Sequence, residues 1–234
     1  MERLDKVISN QTGYSRKEVK EILKGKRVKV NYEIVTKPET KVDPTKDVIE
    51  MDHKELGFKE FIYLVLNKPK GYVSATVDNL NPTVLDLVPD EYIHRHLFPA
   101  GRLDKDTTGL MIITDDGEFA HDILSPKKHI EKTYLVEIDK PLTEEMREGF
   151  FTGIRMTEGV VTAKEFEFLD HHKATVTLTE GRYHQVKRMF HAYHAEVLEL
   201  KRIKMGHFSL PEELKEGEIR ELTEEELQKV KMII

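Results

Sequence analysis

The sequence contains no cysteine, which removes disulfides, thiolate nucleophiles and cysteine-ligated zinc or iron–sulfur centres and suits a reducing compartment. It has no apolar run approaching the roughly 20 residues that cross a bilayer. Its opening Met1-Glu2-Arg3-Leu4-Asp5 lacks the apolar core of a secretion signal, so the expectation is a cytoplasmic protein with no membrane partner. Metal-ligand spacing is missing too. The eleven histidines show no HExxH pattern, and Asp115-Asp116-Gly117 lacks the spaced oxygen ligands of an EF-hand loop and reads as a turn. No metal is expected.

Net positive charge is also absent, since 37 Lys and Arg face 43 Asp and Glu for a balance of −6. That does not exclude a nucleic-acid partner, because binding follows local fields rather than sums. Residues 1–30 hold nine basic residues, among them Arg16, Lys17 and Lys20, against four acids. Residues 209–234 hold eight acids and four basic residues, so part of the acidic excess lies in a tail that need not face a ligand.

The 234 residues are material for one or two domains, and the apolar 38% falls in short periodic runs, as in a chain that folds. Leu4, Val7 and Ile8 have helical spacing. Ser15-Arg16-Lys17-Glu18 is a capping box opening a second helix that carries Val19, Ile22 and Leu23 on one face and ends near Gly25. Residues 27–31, 34–35 and 48–51 read as short strands, and polar residues 53–60 as a linker. This predicts a small N-terminal unit, residues 1–58, and a second domain over 59–234. The second domain shows strands at 61–66, 110–114, 134–138, 163–168 and 174–178, with helices near 118–124, 143–150 and 185–193. The order is α+β, with a mixed, largely antiparallel sheet. No long exposed apolar seam is apparent, which favours a monomer.

Three segments combine polar side chains with turn residues. GRLDKDTTGL at 101–110 sets charged and hydroxyl groups between glycines before a strand, a common place for catalysis, though an ordinary Asx/Thr turn has the same composition. EKTYLV at 131–136 opens a strand, where its tyrosine equally serves cross-strand pairing. EGRYHQVKRMF at 180–190 turns into a helix with basic groups near its N-terminus, suited to phosphate or to a solvated face.

In this order, the three segments resemble the signature motifs of the RsuA/RluB/RluE/RluF family of pseudouridine synthases. NKPKGYVSAT at 67–76 resembles the segment that precedes those motifs, and residues 1–58 resemble the small RNA-binding domain named after ribosomal protein S-four. The resemblance implies a cofactor-free isomerisation of uridine in ribosomal RNA. It makes Asp104 the nucleophile that forms a transient covalent bond, and Arg102 the residue that fills the gap left by the extruded nucleotide. Tyr134 would stack on the base and assist proton removal from C5. Lys187 would pair with the aspartate and favour its charged form. Arg182, Gln185 and Arg188 would contact RNA phosphates or order their loop, and Asp106 would order the loop it sits in. The wording GRYHQVKRMF resembles the RsuA branch, which implies 16S rRNA, possibly met within a partly assembled small subunit, over the 23S alternative. Two other readings stay open: a non-catalytic RNA-binding assembly factor, and a hydrolase that releases uracil.

Overall fold

A computed structural model describes residues 1–232. Two units pack within themselves, residues 1–61 together with 89–96, and residues 62–88 together with 97 onward.

In the first unit β1 (Glu2–Arg3) leads into α1 (Leu4–Thr12) and α2 (Arg16–Lys24), followed by β2 (Val28–Val30), β3 (Glu33–Ile34), β4 (Lys41–Val42), β5 (Ile49–Met51) and β6 (Lys54–Glu55). The capping box forms as the sequence predicts. Ser15 Oγ accepts from the Glu18 amide, and Glu18 Oε2 accepts from the Ser15 amide. Leu4, Val7, Ile8, Val19, Ile22 and Leu23 share one core with Val28, Val42 and Ile49. The stretch read as a linker contains β6, which pairs back on β5. Asp52 and His53 make that two-residue turn with φ of 51° and 64°. Asp-His is a poor advertisement for a turn that usually takes Asn-Gly, so the hairpin was not legible. Residues 89–96 also belong to this unit, where a ring nitrogen of His94 lies 3.1 Å from the Asn10 carbonyl.

The second unit comprises β7 (Tyr63–Lys68), β8 (Phe98–Pro99), β9 (Thr108–Thr114), α3 (Gly117–Leu124), β10 (Lys132–Ile138), α4 (Glu144–Thr152), β11 (Ile154–Met156) and β12 (Gly159–Val161). It continues with β13 (Glu165–Phe168), β14 (Lys173–Leu178), α5 (Gln185–His191), β15 (Val197–Met205), β16 (Phe208–Ser209), β17 (Ile219–Glu221) and α6 (Glu224–Val230). The main sheet runs β13-β14-β10-β15-β9-β7-β17, with β16 on β15 and β8 on β9. Every pairing is antiparallel except β15 with β9, so the sheet is mixed and mostly antiparallel, in an α+β fold.

Two features depart from the sequence reading. The nine-residue β15 went unseen because its inward positions are not a clean apolar alternation: Arg202 is buried between Leu200 and Met205, and the register to β10 slips at Thr133/Tyr134. The acidic C-terminal segment is no loose tail, because β17 closes the sheet on β7 and α6 buries Leu227 and Val230 against Phe119, Met205 and Phe208.

The parallel contact is short, Lys201 opposite Thr108 and Arg202 opposite Gly109. Gly109 has φ +100°, and a Cβ added there would stand 2.2 Å from the Arg202 carbonyl oxygen. Only glycine allows this approach. Gly109→Ala is expected to cost about 3 kcal/mol or more, lowering Tm by roughly 5 °C or more for a domain of this size. A thermal melt unchanged from wild type would contradict the close seam.

Candidate active site

The loop that enters β9 is fixed from below. Lys68, fully buried at the end of β7, donates its ammonium to the carbonyls of Thr107 at 2.8 Å, Pro69 at 3.1 Å and Lys105 at 3.3 Å. Ser74 Oγ donates to the Leu103 carbonyl and accepts from the Leu103 amide, and the Gly71 amide reaches the Lys105 carbonyl. The Thr107 amide closes a turn on the Asp104 carbonyl at 3.0 Å. Within this tied loop Asp104 presents its carboxylate, its side chain 26% exposed.

The other wall comes from the turn into α5. Aromatic packing holds that helix, with Phe190 4.8 Å from Phe150 and Phe150 stacked on Phe166 at 4.4 Å between ring centres. Gln185 is buried and works inside the turn, accepting from the Arg182 amide and donating to Glu180. Arg182 bonds Glu180 and the Glu158 carbonyl, and Arg188 forks onto the Glu158 carboxylate through two 2.6 Å bonds. His184 takes a left-handed φ of 48° ahead of the helix, and its Nε2 lies 3.3 Å from Asp104 Oδ1. Lys187, one turn on, reaches Asp104 Oδ2 at 3.3 Å and both oxygens of Asp106 at 2.7 and 2.8 Å. Burial works to lower the Lys187 ammonium, but the two carboxylates hold it above its usual value. Burial likewise opposes ionisation of Asp106, and the hydrogen bond from Lys187 nevertheless holds it below the usual carboxylate range.

Between these walls is a cavity of about 500 Å³, lined by Arg102, Asp104, Lys132, Tyr134, Arg182 and Arg202 among others. A smaller adjoining recess of about 70 Å³ has Leu178, Val186 and Leu200 beside Asp104 and Tyr134. Tyr134 is buried on the inward face of β10, opposite Arg202 of β15. A carboxylate held by an ammonium thus borders a cavity whose lining combines an aromatic ring, Tyr134, with several cationic side chains, Arg102, Lys132, Arg182 and Arg202, a lining that suits an anionic ligand carrying a planar group.

Asp104, Tyr134 and Lys187, singled out in the sequence, thus converge on one place, with Arg102 and Arg182 on the same cavity. Gln185 lines only the recess, and the Arg188 guanidinium is engaged with Glu158. Arg16, Lys17 and Lys20 are exposed on α2 of the first unit. The sequence reading missed four residues. Asp106, assigned only to ordering its loop, is the nearer carboxylate partner of Lys187. His184, given no role of its own in the sequence, touches Asp104. Lys132 opens a strand, where a basic residue normally reads as outward-facing, and Arg202 lies on β15, a strand the sequence did not show.

Residues 62–192 match the family described as RNA pseudouridylate synthase, and residues 2–49 match the S4 domain. The chain belongs to the RNA pseudouridylate synthase family and is an RNA-modifying isomerase of that class. It is 44% identical over 230 residues, 96% of each chain, to an uncharacterised RNA pseudouridine synthase of Bacillus subtilis. It is 42% identical over 230 residues to ribosomal small subunit pseudouridine synthase A of Escherichia coli, covering 97% of this chain and 99% of that one. A crystal structure of a pseudouridylate synthase superposes with a TM-score of 0.68 at 39% identity, over 98% of this chain and 100% of the other.

Burial pulls Lys68 down to about 8, with Asp106 and Asp104 opposing, and pulls Lys132 to about 8 with Arg202 adding to the effect. Unfolded lysine titrates near 10.5. Between the two values the unfolded chain holds more protons than the folded one, so unfolding free energy rises with pH from about 8 to about 10. Above that, Tyr63, whose pKa is raised by burial and by Asp116, reverses the trend. Denaturant titrations across pH 8–10 should show this rise, with the slope about halved in Lys68→Met because Lys132 carries the remainder. Equal slopes in the two proteins would contradict the buried charge of Lys68.

Proposed function

We propose that the chain converts a uridine of small-subunit ribosomal RNA to pseudouridine, with Asp104 as nucleophile. The single observation that carries this reading is the clamped carboxylate of Asp104, held 3.3 Å from Lys187 at the edge of a cavity walled by Tyr134. In the reaction the bond from C1′ to N1 breaks, the uracil turns, and C1′ is joined to C5. C5 gives up its proton and N1 gains one, so no electrons are exchanged and no cofactor is required. Asp104 carries the transient covalent bond, and Tyr134 stacks on the base and assists removal of the C5 proton. Because Asp106 already satisfies the Lys187 ammonium with two short bonds, the lysine stays in position when Asp104 turns toward substrate.

Arg102, exposed on the cavity, occupies the place of the extruded nucleotide. Residues 1–58 form the RNA-binding domain and 59–234 the synthase domain, with Arg16, Lys17 and Lys20 of α2 supplying phosphate affinity that salt weakens. Arg182 contacts RNA as well as Glu180, whereas Gln185 and Arg188 act by holding the α5 turn. The target in small-subunit RNA is supported by similarity to the E. coli enzyme of that name, at 42% identity over nearly the whole length of both chains. The protein acts as a monomer in the cytoplasm, on rRNA of a partly assembled small subunit. Among the described residues no helix is long and apolar enough to cross a membrane.

Site-resolved pseudouridine mapping of 16S and 23S rRNA, from cells with and without the gene, tests this. One small-subunit site should disappear on deletion and return with the wild-type gene. Loss of a large-subunit site instead would overturn the target, and an unchanged map would overturn the enzyme.

A further inference from the structure

Strand β10 buries every second residue, Lys132, Tyr134, Val136 and Ile138, so a lysine stands where the alternation calls for an apolar side chain. Its side chain is 5% exposed as a residue and donates to one neutral acceptor, the Ile123 carbonyl at 3.2 Å. Arg202, 2% exposed, sits opposite Tyr134, donates Nε to the Leu110 carbonyl at 2.7 Å, and has no partner at all for Nη2. Neither cation has a carboxylate partner among the described residues: Lys132 feels the charge of Arg202, Arg202 is hydrogen-bonded with the Tyr134 side chain, and both line the 500 Å³ cavity.

Two buried positive charges that repel each other are expensive unless a counter-charge arrives from outside. A guanidinium beside an ammonium, both lining one cavity and neither held by a carboxylate, is the donor set that a phosphate takes, through short charge-assisted bonds. From these observations, and resting on the uridine-modifying reading above, we infer that Lys132 and Arg202 form a phosphate subsite on the cavity floor that holds a phosphate flanking the extruded uridine. The pair would then anchor the nucleotide's backbone while Tyr134, between them on the sheet, faces its base. Positioning of this kind leaves the uracil free to turn after its bond to the sugar is cut, because the grip is on the phosphate.

The test uses the full chain and three probes, 5′-UMP, 3′-UMP and uridine, with affinities read by titration. Wild type is expected to bind one of the two nucleotides at least about tenfold tighter than uridine, the usual value of a charge-assisted hydrogen bond; which nucleotide wins identifies the side of the flanking phosphate. Lys132→Met should reduce that ratio to about one and Lys132→Arg should restore it, whereas a merely structural lysine would alter the melting temperature of the free protein and leave the ratio intact. Arg202→Gln should behave as Lys132→Met if it folds, and Lys132→Met decides the matter if it does not. Equal binding of all three probes by wild type, or a ratio that survives Lys132→Met, overturns the subsite. Failure of the isomerase reading is scored separately, by pseudouridine mapping, and leaves the nucleotide ratios interpretable.

Discussion

The two-residue parallel pairing of β9 with β15 joins the antiparallel halves of the large sheet, and the active-site geometry hangs on it. One half carries β10, with Tyr134 and Lys132, next to β15 with Arg202; the other carries β9 and, just before it, the loop that holds Asp104. Gly109 lets the two backbones approach, and the Arg202 side chain reaches over to the Leu110 carbonyl of β9. A shift at this seam would separate the carboxylate from the aromatic wall it faces. Lys68 reinforces the arrangement from the neighbouring strand by tying three carbonyls of and around the loop, at the cost of burying an ammonium.

Charge in the cavity is divided into two zones. At the mouth, Lys187 serves Asp104 and Asp106 together, and His184 adds a ring nitrogen to Asp104. On the floor, Lys132 and Arg202 have no such partners. The mouth is electrostatically complete without substrate, while the floor is not, and the proposed subsite assigns an RNA phosphate to complete it. A net charge of −6 is compatible with the proposed RNA contacts, because local cations at the cavity and on α2 act at short range and the acidic C-terminal segment closes the sheet with β17 and α6.

Much of this was legible in the sequence. The capping box at Ser15, the strands β9, β10 and β14 and the helices α3 and α4 follow from periodicity and turn residues, whereas Asp104, Tyr134 and Lys187 are singled out by the resemblance of their three segments to the family's motifs, since composition alone fits an ordinary turn, a cross-strand aromatic and a solvated helix face equally well. What stayed hidden has physical reasons. The strand β15 carries Arg202 on its buried face and a register slip, so its alternation is broken. Lys132 looks outward-facing until burial shows otherwise. The role of Asp106 is a distance across 81 positions of chain to Lys187, and His184 meets Asp104 only because of a left-handed backbone that no spacing rule announces.

The central claim is that Asp104 does the chemistry while the surrounding groups position it. Single-turnover conversion of the mapped rRNA segment, measured with RNA binding in the same preparations of wild type and Asp104→Asn, tests that claim directly. The amide keeps the shape and loses the nucleophile, so the account predicts RNA affinity within a few-fold of wild type and no detectable pseudouridine. Turnover by Asp104→Asn at a rate near wild type would contradict it.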